Sequence, residues 1–280
     1  MKNILSKIIP LLYGQYLNFL VLFSKKRTAQ TAFDIFCTVR KGRVKDLQKD
    51  FLNSAKYSTE EVLGQHIQSY RWQGTKPTVL LLHGWESNTY RWRNLIKKLR
   101  EHDFEVLAFD APGHGYSTGK KLHVPLYANT TRHFLDKFKP TYVVAHSVGG
   151  MTILYDHYKN PDSSVDKIVT IGSPCEFSDI MAHFQDILKF NDKVMKAMDT
   201  YVKKWFGLHI HEFSSAHFVA NNYKKGLLFH DEDDAQIAFG ASKKVHKHWK
   251  GSQFIGTKGL GHSMHQEQVN NQIIEFLEGV

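Results

Sequence analysis

The chain has 280 residues, 42% hydrophobic and 13% aromatic, so it can bury one substantial core, and a single domain with additions is expected. Its two cysteines, Cys37 and Cys175, are too few for a disulfide framework, and neither stands in a paired metal-ligand spacing. The net charge of +10 is uneven: residues 1–60 carry 11 Lys and Arg against 4 Asp and Glu, so +7 lies there, which argues against a basic groove over the whole surface and against a nucleic-acid partner.

The basic segment suits either a solvated face or an anionic neighbour, a membrane surface being the natural candidate. Residues 4–23 are mostly apolar, and Lys25-Lys26-Arg27 follows them. At about 100° per residue, Asn3, Ser6, Lys7, Pro10, Gly14, Asn18, Ser24 and Lys25 fall on one stripe. That leaves a wide apolar face of Leu5, Ile8, Leu12, Tyr16, Phe19, Leu20 and Phe23. Lys7, Pro10, Gln15 and Asn18 make a spanning helix costly, and no small-residue cleavage site follows. The helix is therefore expected to lie on a membrane, or to pack on the protein or in a homodimer. A cytoplasmic location, with membrane association through this helix, is the matching expectation. Thr28–Cys37 and Val44–Ala55 read as two more helices, which makes residues 1–60 a helical N-terminal extension.

From His66 the period changes. His66–Trp72 alternates like an antiparallel strand, and Val79–Leu82 is a fully buried one ending in His83-Gly84-Trp85. Tyr90–Leu99 reads as a helix and Phe104–Phe109 as the next buried strand. The latter ends in the loop Asp110-Ala111-Pro112-Gly113-His114-Gly115-Tyr116-Ser117. A helix over about Val124–Phe138 leads to the strand Tyr142–Ala145, and another strand covers Lys167–Ile171. Strand and helix alternating so regularly predict an α/β fold with a mostly parallel, doubly wound sheet over residues 61–280. The alternation stops after Gly172-Ser173-Pro174. A helical insertion at about 176–218, rich in Met and aromatic residues, reads as a lid whose side chains form core and line a pocket. Strands resume at Gly226–His230 and Ser252–Gly256, and Gln268–Leu277 closes the chain as an amphipathic helix.

Between the Tyr142–Ala145 strand and its helix stands Ala145-His146-Ser147-Val148-Gly149: small, any, Ser, any, Gly. A strand that turns sharply into a helix needs small residues under the turn, and it leaves the serine exposed in a strained, nucleophile-ready backbone. Ala145 in place of glycine is a one-methyl departure. Serine is a poor nucleophile until a base takes its proton, so a hydrolase also needs a His and a carboxylate to orient it. The carboxylate candidates Asp231, Glu232, Asp233 and Asp234 follow the Gly226–His230 strand, and His262 follows Ser252–Gly256.

These four stretches, the His83-Gly84-Trp85 turn, the Asp110–Ser117 loop, the elbow at Ser147 and Gly261-His262, together resemble the α/β-hydrolase family from about residue 66 to the C-terminus. The resemblance implies that Ser147 is the nucleophile, that His262 is general base and then acid, and that the backbone N–H groups of Trp85 and Val148 form an oxyanion hole. It also implies an acid three positions after a glycine that Asp231 replaces here. That count lands on Asp234, with Asp233 as runner-up and Asp231 and Glu232 as solvated loop charges. His83 and His114 are expected to tie backbone groups together, and His146 to contact a neighbouring loop. The implied activity is a cofactor-independent serine hydrolase acting on a small-molecule ester with an apolar part through an acyl-enzyme. Thioester or C–C bond hydrolysis uses the same triad, and a non-catalytic binding protein on this scaffold is the alternative from a different class. No metal site is expected: His209-Ile210-His211 and His246-Lys247-His248 lack further ligands at a suitable spacing.

Overall fold

A computed structural model describes residues 2–279, with side chains from Ile8 onward. The elements in chain order are α1 (Lys2–Leu20), α2 (Lys25–Cys37), α3 (Asp46–Asn53), β1 (Lys56–Val62), β2 (Gln65–Trp72), β3 (Lys76–Leu82), α4 (Arg93–Glu101), β4 (Phe104–Phe109), α5 (Val124–Phe138), β5 (Tyr142–His146) and α6 (Val148–Lys159). They continue with β6 (Lys167–Ile171), α7 (Phe177–Leu188), α8 (Asp192–Phe206), α9 (Ser215–Phe218), β7 (Lys225–Asp231), α10 (Gly240–His248), β8 (Ser252–Thr257) and α11 (Glu267–Glu278). The chain divides into two compact units, residues 39–175 with 215–280 and residues 1–38 with 176–214.

The larger unit holds an eight-stranded sheet in the order β1-β2-β4-β3-β5-β6-β7-β8. The pairs β1/β2 and β2/β4 are antiparallel and every other pair is parallel. Successive side chains of a strand point to opposite faces, and β3 shows the consequence. Val79 and Leu81 enter one core with Leu95, Leu99 and Ile273 from α4 and α11. Leu80 and Leu82 enter the other with Tyr127, Phe134, Ile153 and Val245 from α5, α6 and α10. All four β3 side chains are fully buried, each worth roughly 1.5–3 kcal/mol on transfer from water. The chain leaves β3 toward β4 on one side and returns to β5 on the other, so the crevice beyond the carboxyl end of β3 is a topological switch point, where open α/β sheets bind ligands.

Two boundaries differ from the sequence reading. Residues 39–60 belong with the sheet rather than with the extension, because β1 pairs along its whole length with β2 and Leu52 of α3 packs into the core with Trp72 and Trp92. The insertion ends at residue 214, since Ala216 and Val219 join the sheet core. Strand β1 itself escapes the periodicity: only Val62 of its seven residues is buried, so it has no apolar face to announce it.

The smaller unit is helical. Ser24 caps α2, its Oγ accepting from Arg27 N at 3.3 Å, and α2 sends Ala32, Phe33 and Cys37 into a core with Met181 and Leu188 of α7 and Val194, Met198 and Val202 of α8. Met181, Val194, Met198 and Val202 thus serve as core of this unit. Helix α1 completes the unit with Leu17 and Val21. Gly14 is buried so tightly that a Cβ on it would lie 1.7 Å from Leu188 O, a backbone atom that cannot move aside cheaply. Asn18 Nδ2 donates to Lys189 O at 3.3 Å, and Asn18 Oδ1 accepts from Asn191 N at 2.7 Å. The small and polar stripe faces the protein, and the apolar face is exposed. Asn3, Leu5, Ser6 and Lys7, placed on these stripes by the sequence, lie outside the described side chains.

Candidate active site

The site gathers at the carboxyl ends of β3, β5, β7 and β8 within the larger unit. Strand β5 ends at His146 and α6 begins at Val148, so Ser147 alone makes the turn, with φ 53° and ψ −124°. A positive φ in a residue with a Cβ is strained, and surrounding contacts must hold it. They include Ser147 N, which donates to Ile171 O at 2.9 Å. The glycines explain the close approach: a Cβ on Gly149 would fall 2.6 Å from Leu82 O, and one on Gly150 2.6 Å from Ser173 Oγ. Ala145, opposite Leu82 in the ladder, is fully buried with its methyl accommodated. A Cβ on Gly84 would lie 2.7 Å from His146 Nδ1 and 3.1 Å from Ser147 Cβ, so the His83-Gly84-Trp85 turn passes directly beside the serine.

Asp234 and His262 are brought together. His262 Nδ1 stands 2.7 Å from Asp234 Oδ2, and the Asp234 side chain is fully buried. Burial alone would raise this carboxyl, but hydrogen bonds from His230 and His262 and from the amides of Ile237 and Gln236 outweigh it and hold the group far below the usual carboxylate range. Asp233 is turned away and accepts from Gly259 N at 3.0 Å. His146 Nε2 donates to His262 O at 2.9 Å, and the two rings meet edge to face at 4.7 Å, so the His262 loop is tied to the strand end that carries Ser147. Among the described residues the Ser147 hydroxyl makes no hydrogen bond to His262. The amides of Trp85 and Val148 also donate to none of the described residues; Val148 is the first residue of α6, where backbone donors are left over.

The turn at β3 is held by two histidines. His83 Nδ1 donates to Gly84 O at 2.8 Å while Nε2 accepts from Ala111 N at 2.9 Å. His114 Nδ1 donates to Pro112 O at 2.9 Å while Nε2 accepts from Glu86 N at 3.0 Å. Each ring needs one bare nitrogen to accept an amide, so both are fixed neutral, and burial lowers His83 to about 4 and His114 to about 3. Asp110 binds the same loop system: Oδ1 accepts from Thr89 N at 2.9 Å, and Oδ2 accepts from Tyr70 Oη at 2.9 Å and Tyr116 N at 3.0 Å.

Asp231 is not the solvated loop charge the sequence suggested. It is fully buried. Its Oδ2 accepts from Thr257 Oγ1 at 2.7 Å and Leu260 N at 3.0 Å, and its Oδ1 accepts from Gly261 N and Asp233 N, both at 3.0 Å. Burial opposes its charge, and these four donors outweigh that and keep the carboxylate ionised. Glu232, by contrast, is exposed beside Lys258.

A family model described as the alpha/beta hydrolase fold matches residues 77–252, more than half of the chain. The chain belongs to the α/β-hydrolase family. The chain is 26% identical over 170 residues to the pimeloyl-[acyl-carrier protein] methyl ester esterase of Vibrio vulnificus, a match covering 59% of the chain and 65% of that relative. It is 34% identical over 100 residues to esterase Rv0045c of Mycobacterium tuberculosis, covering 34% of the chain and 33% of that relative. The matches therefore span between a third and just under two thirds of these relatives' lengths. In fold the chain is similar to the mouse alpha/beta hydrolase domain-containing protein 10, with a TM-score of 0.64 at 18% identity, covering 80% of this chain and 98% of that one.

Three residues around the site escaped the sequence reading. Asp231, as described, fastens the loop that ends in His262. His230 packs beside Asp234, with Nδ1 2.7 Å from Ser242 Oγ and Nε2 3.0 Å from Ile237 O and 3.4 Å from Asp234 Oδ2. Arg91, buried with no carboxylate partner among the described residues, donates from Nη2 to Ser263 O at 3.0 Å and lies over the Trp92 ring at 4.4 Å. Burial lowers it to about 9. The signal for His230 and Asp231 was present, as polar residues ending an apolar strand. For Arg91 there was none, because its partner lies 172 residues away.

Proposed function

We propose that this protein is a serine hydrolase that cleaves carboxylic esters with an apolar part. Ser147 Oγ attacks the acyl carbonyl while His262 Nε2 takes the hydroxyl proton. Asp234 holds the Nδ1–H tautomer and stabilises the imidazolium. The negative charge that develops on the carbonyl oxygen is met by the Trp85 and Val148 amides, each such donor contributing about 3 kcal/mol in the transition state. His262 then protonates the leaving alcohol, which departs as the carbonyl re-forms. Water, deprotonated by the same imidazole, releases the acid and restores Ser147. Nucleophile, base, acid and oxyanion donors are all protein groups, so no cofactor enters the reaction.

The observation that carries this reading is the 2.7 Å contact between His262 Nδ1 and a fully buried, ionised Asp234, on a loop tied through His146 to the strained Ser147 turn. A binding protein has no need of it. The esterase names of the two relatives favour esters over other acyl compounds. The test is labelling with a fluorophosphonate, followed by turnover of p-nitrophenyl esters of graded acyl length. Labelling at Ser147, and loss of at least about 10⁴-fold in turnover for Ser147→Ala, is expected. A folded wild-type protein that neither labels nor turns over esters is a binder, and a strong preference for thioesters of equal acyl length would replace the ester assignment.

A further inference from the structure

Helix α1 inverts the usual rule for a surface helix. Such a helix normally turns its apolar stripe to the protein and its polar residues to water. Here Gly14 and Asn18 are applied to α7 and the turn before α8, while Ile8, Leu12, Tyr16, Phe19 and Phe23 are 44–72% exposed. These five fall within an arc of about 80° at 3.6 residues per turn. The Phe19 and Phe23 rings, 4.9 Å apart, extend the face past the last turn of the helix. A contiguous apolar surface of this kind is not left to water and marks a contact with something apolar.

The charge beside it says what covers it. Lys25, Lys26 and Arg27 follow directly, all exposed and without an ion pair among the described residues. Residues 1–33 carry five Lys and Arg and no Asp or Glu, the first acid being Asp34. Two copies of α1 paired in either direction would bring like charge to like charge, which weighs against a self-complementary dimer seam. No described helix is long and apolar enough to cross a membrane. We propose that the outer face of α1, together with Lys25, Lys26 and Arg27, docks on an anionic lipid bilayer, the helix lying in the headgroup plane with its tyrosine and phenylalanine rings in the interface. The surface lies wholly on residues 1–38, and its test reads partition, not catalysis.

The experiment is co-sedimentation of the full-length protein with vesicles of phosphatidylcholine alone and of phosphatidylcholine with about 30% phosphatidylglycerol, at about 0.05 M and about 0.5 M salt. Binding to the anionic vesicles is expected, weakened by salt. Each surface cation is worth about fivefold, so Lys25→Ser/Lys26→Ser loses roughly 25-fold. Phe19→Ser/Phe23→Ser loses roughly tenfold or more per ring and, because both rings are exposed, keeps the wild-type far-UV spectrum. Failure to bind anionic vesicles at low salt overturns the proposal, as does equal binding to both vesicle types. A protein that stays off vesicles but dimerises by light scattering, and becomes monomeric in the double phenylalanine variant, assigns the face to a second copy.

Discussion

His114 offers a quantitative test of how the turn beside the candidate nucleophile is held. Its Nε2 accepts the Glu86 amide and its Nδ1 donates to Pro112 O, so taking up a second proton would break the first bond and place a charge in a fully buried site. The group is held at about 3 in the folded state against 6.5 when unfolded. A lowered histidine stabilises the fold above the unfolded value, and that contribution drains away as pH falls from 6.5 toward 3, where the unfolded chain binds a proton that the native chain refuses. Between about pH 8 and about pH 5.5 the loss from this single ring is between roughly 1 and 2 kcal/mol, and it stays in that range for any folded value well below 5. Glutamine can accept from Glu86 and donate to Pro112 without titrating. Urea unfolding of wild type and His114→Gln at the two pH values isolates the effect, because titrating groups away from this ring cancel in the difference. Wild type should lose between 1 and 2 kcal/mol more than the variant on acidification. Equal losses would show that His114 titrates freely and that the hydrogen bonds do not fix its charge state.

Asp234→Asn should lower turnover of the best ester by about 10⁴-fold, with Asp233→Asn within a few fold of wild type, because only Asp234 reaches His262 Nδ1; the reverse ranking in steady-state kinetics would move the acid by one residue. Asp231→Asn keeps one of the two buried acceptor oxygens, turns the other, which accepts two hydrogen bonds, into an NH2 group facing donors, and should cost roughly 2–3 kcal/mol in urea unfolding and lower kcat, while an unchanged stability would contradict its anchoring role. Gly14→Ala gains about 1 kcal/mol of helix propensity, yet its methyl would strike Leu188 O, at a cost of roughly 1–3 kcal/mol; hydrogen exchange over residues 8–20 should accelerate, and slower exchange would mean that the contact is looser than described.

The parallel sheet was legible because its strands are buried on both faces. Val79–Leu82, Val106–Phe109 and Tyr142–Ala145 read as unbroken apolar runs separated by helical periods. The elbow was legible because its backbone geometry restricts residue type: Gly149 lies too close to Leu82 O for any side chain. Strand β1 was not, because an exposed edge strand pairs through its backbone and leaves no pattern in its side chains. Asp231 was misread for a related reason. A carboxylate in an acidic loop looks solvated until the amides of residues 260 and 261 are folded onto it, and the sequence holds no record of that approach.

The sequence by itself determined which residues share a face, since that follows from the helical and strand periods, and it determined the elbow, the order of Ser147, Asp234 and His262, and the two-faced polarity of α1. Only the tertiary structure decided what each face meets. It joined residues 1–38 with 176–214, far apart along the chain, and it turned the polar side of α1 inward because Gly14 and Asn18 offered the α7–α8 turn a close backbone approach and two hydrogen bonds that bulky apolar side chains could not. Local periodicity fixes the stripes of a helix; the partner that covers a stripe is chosen by contacts between segments whose separation in sequence carries no signal of their meeting.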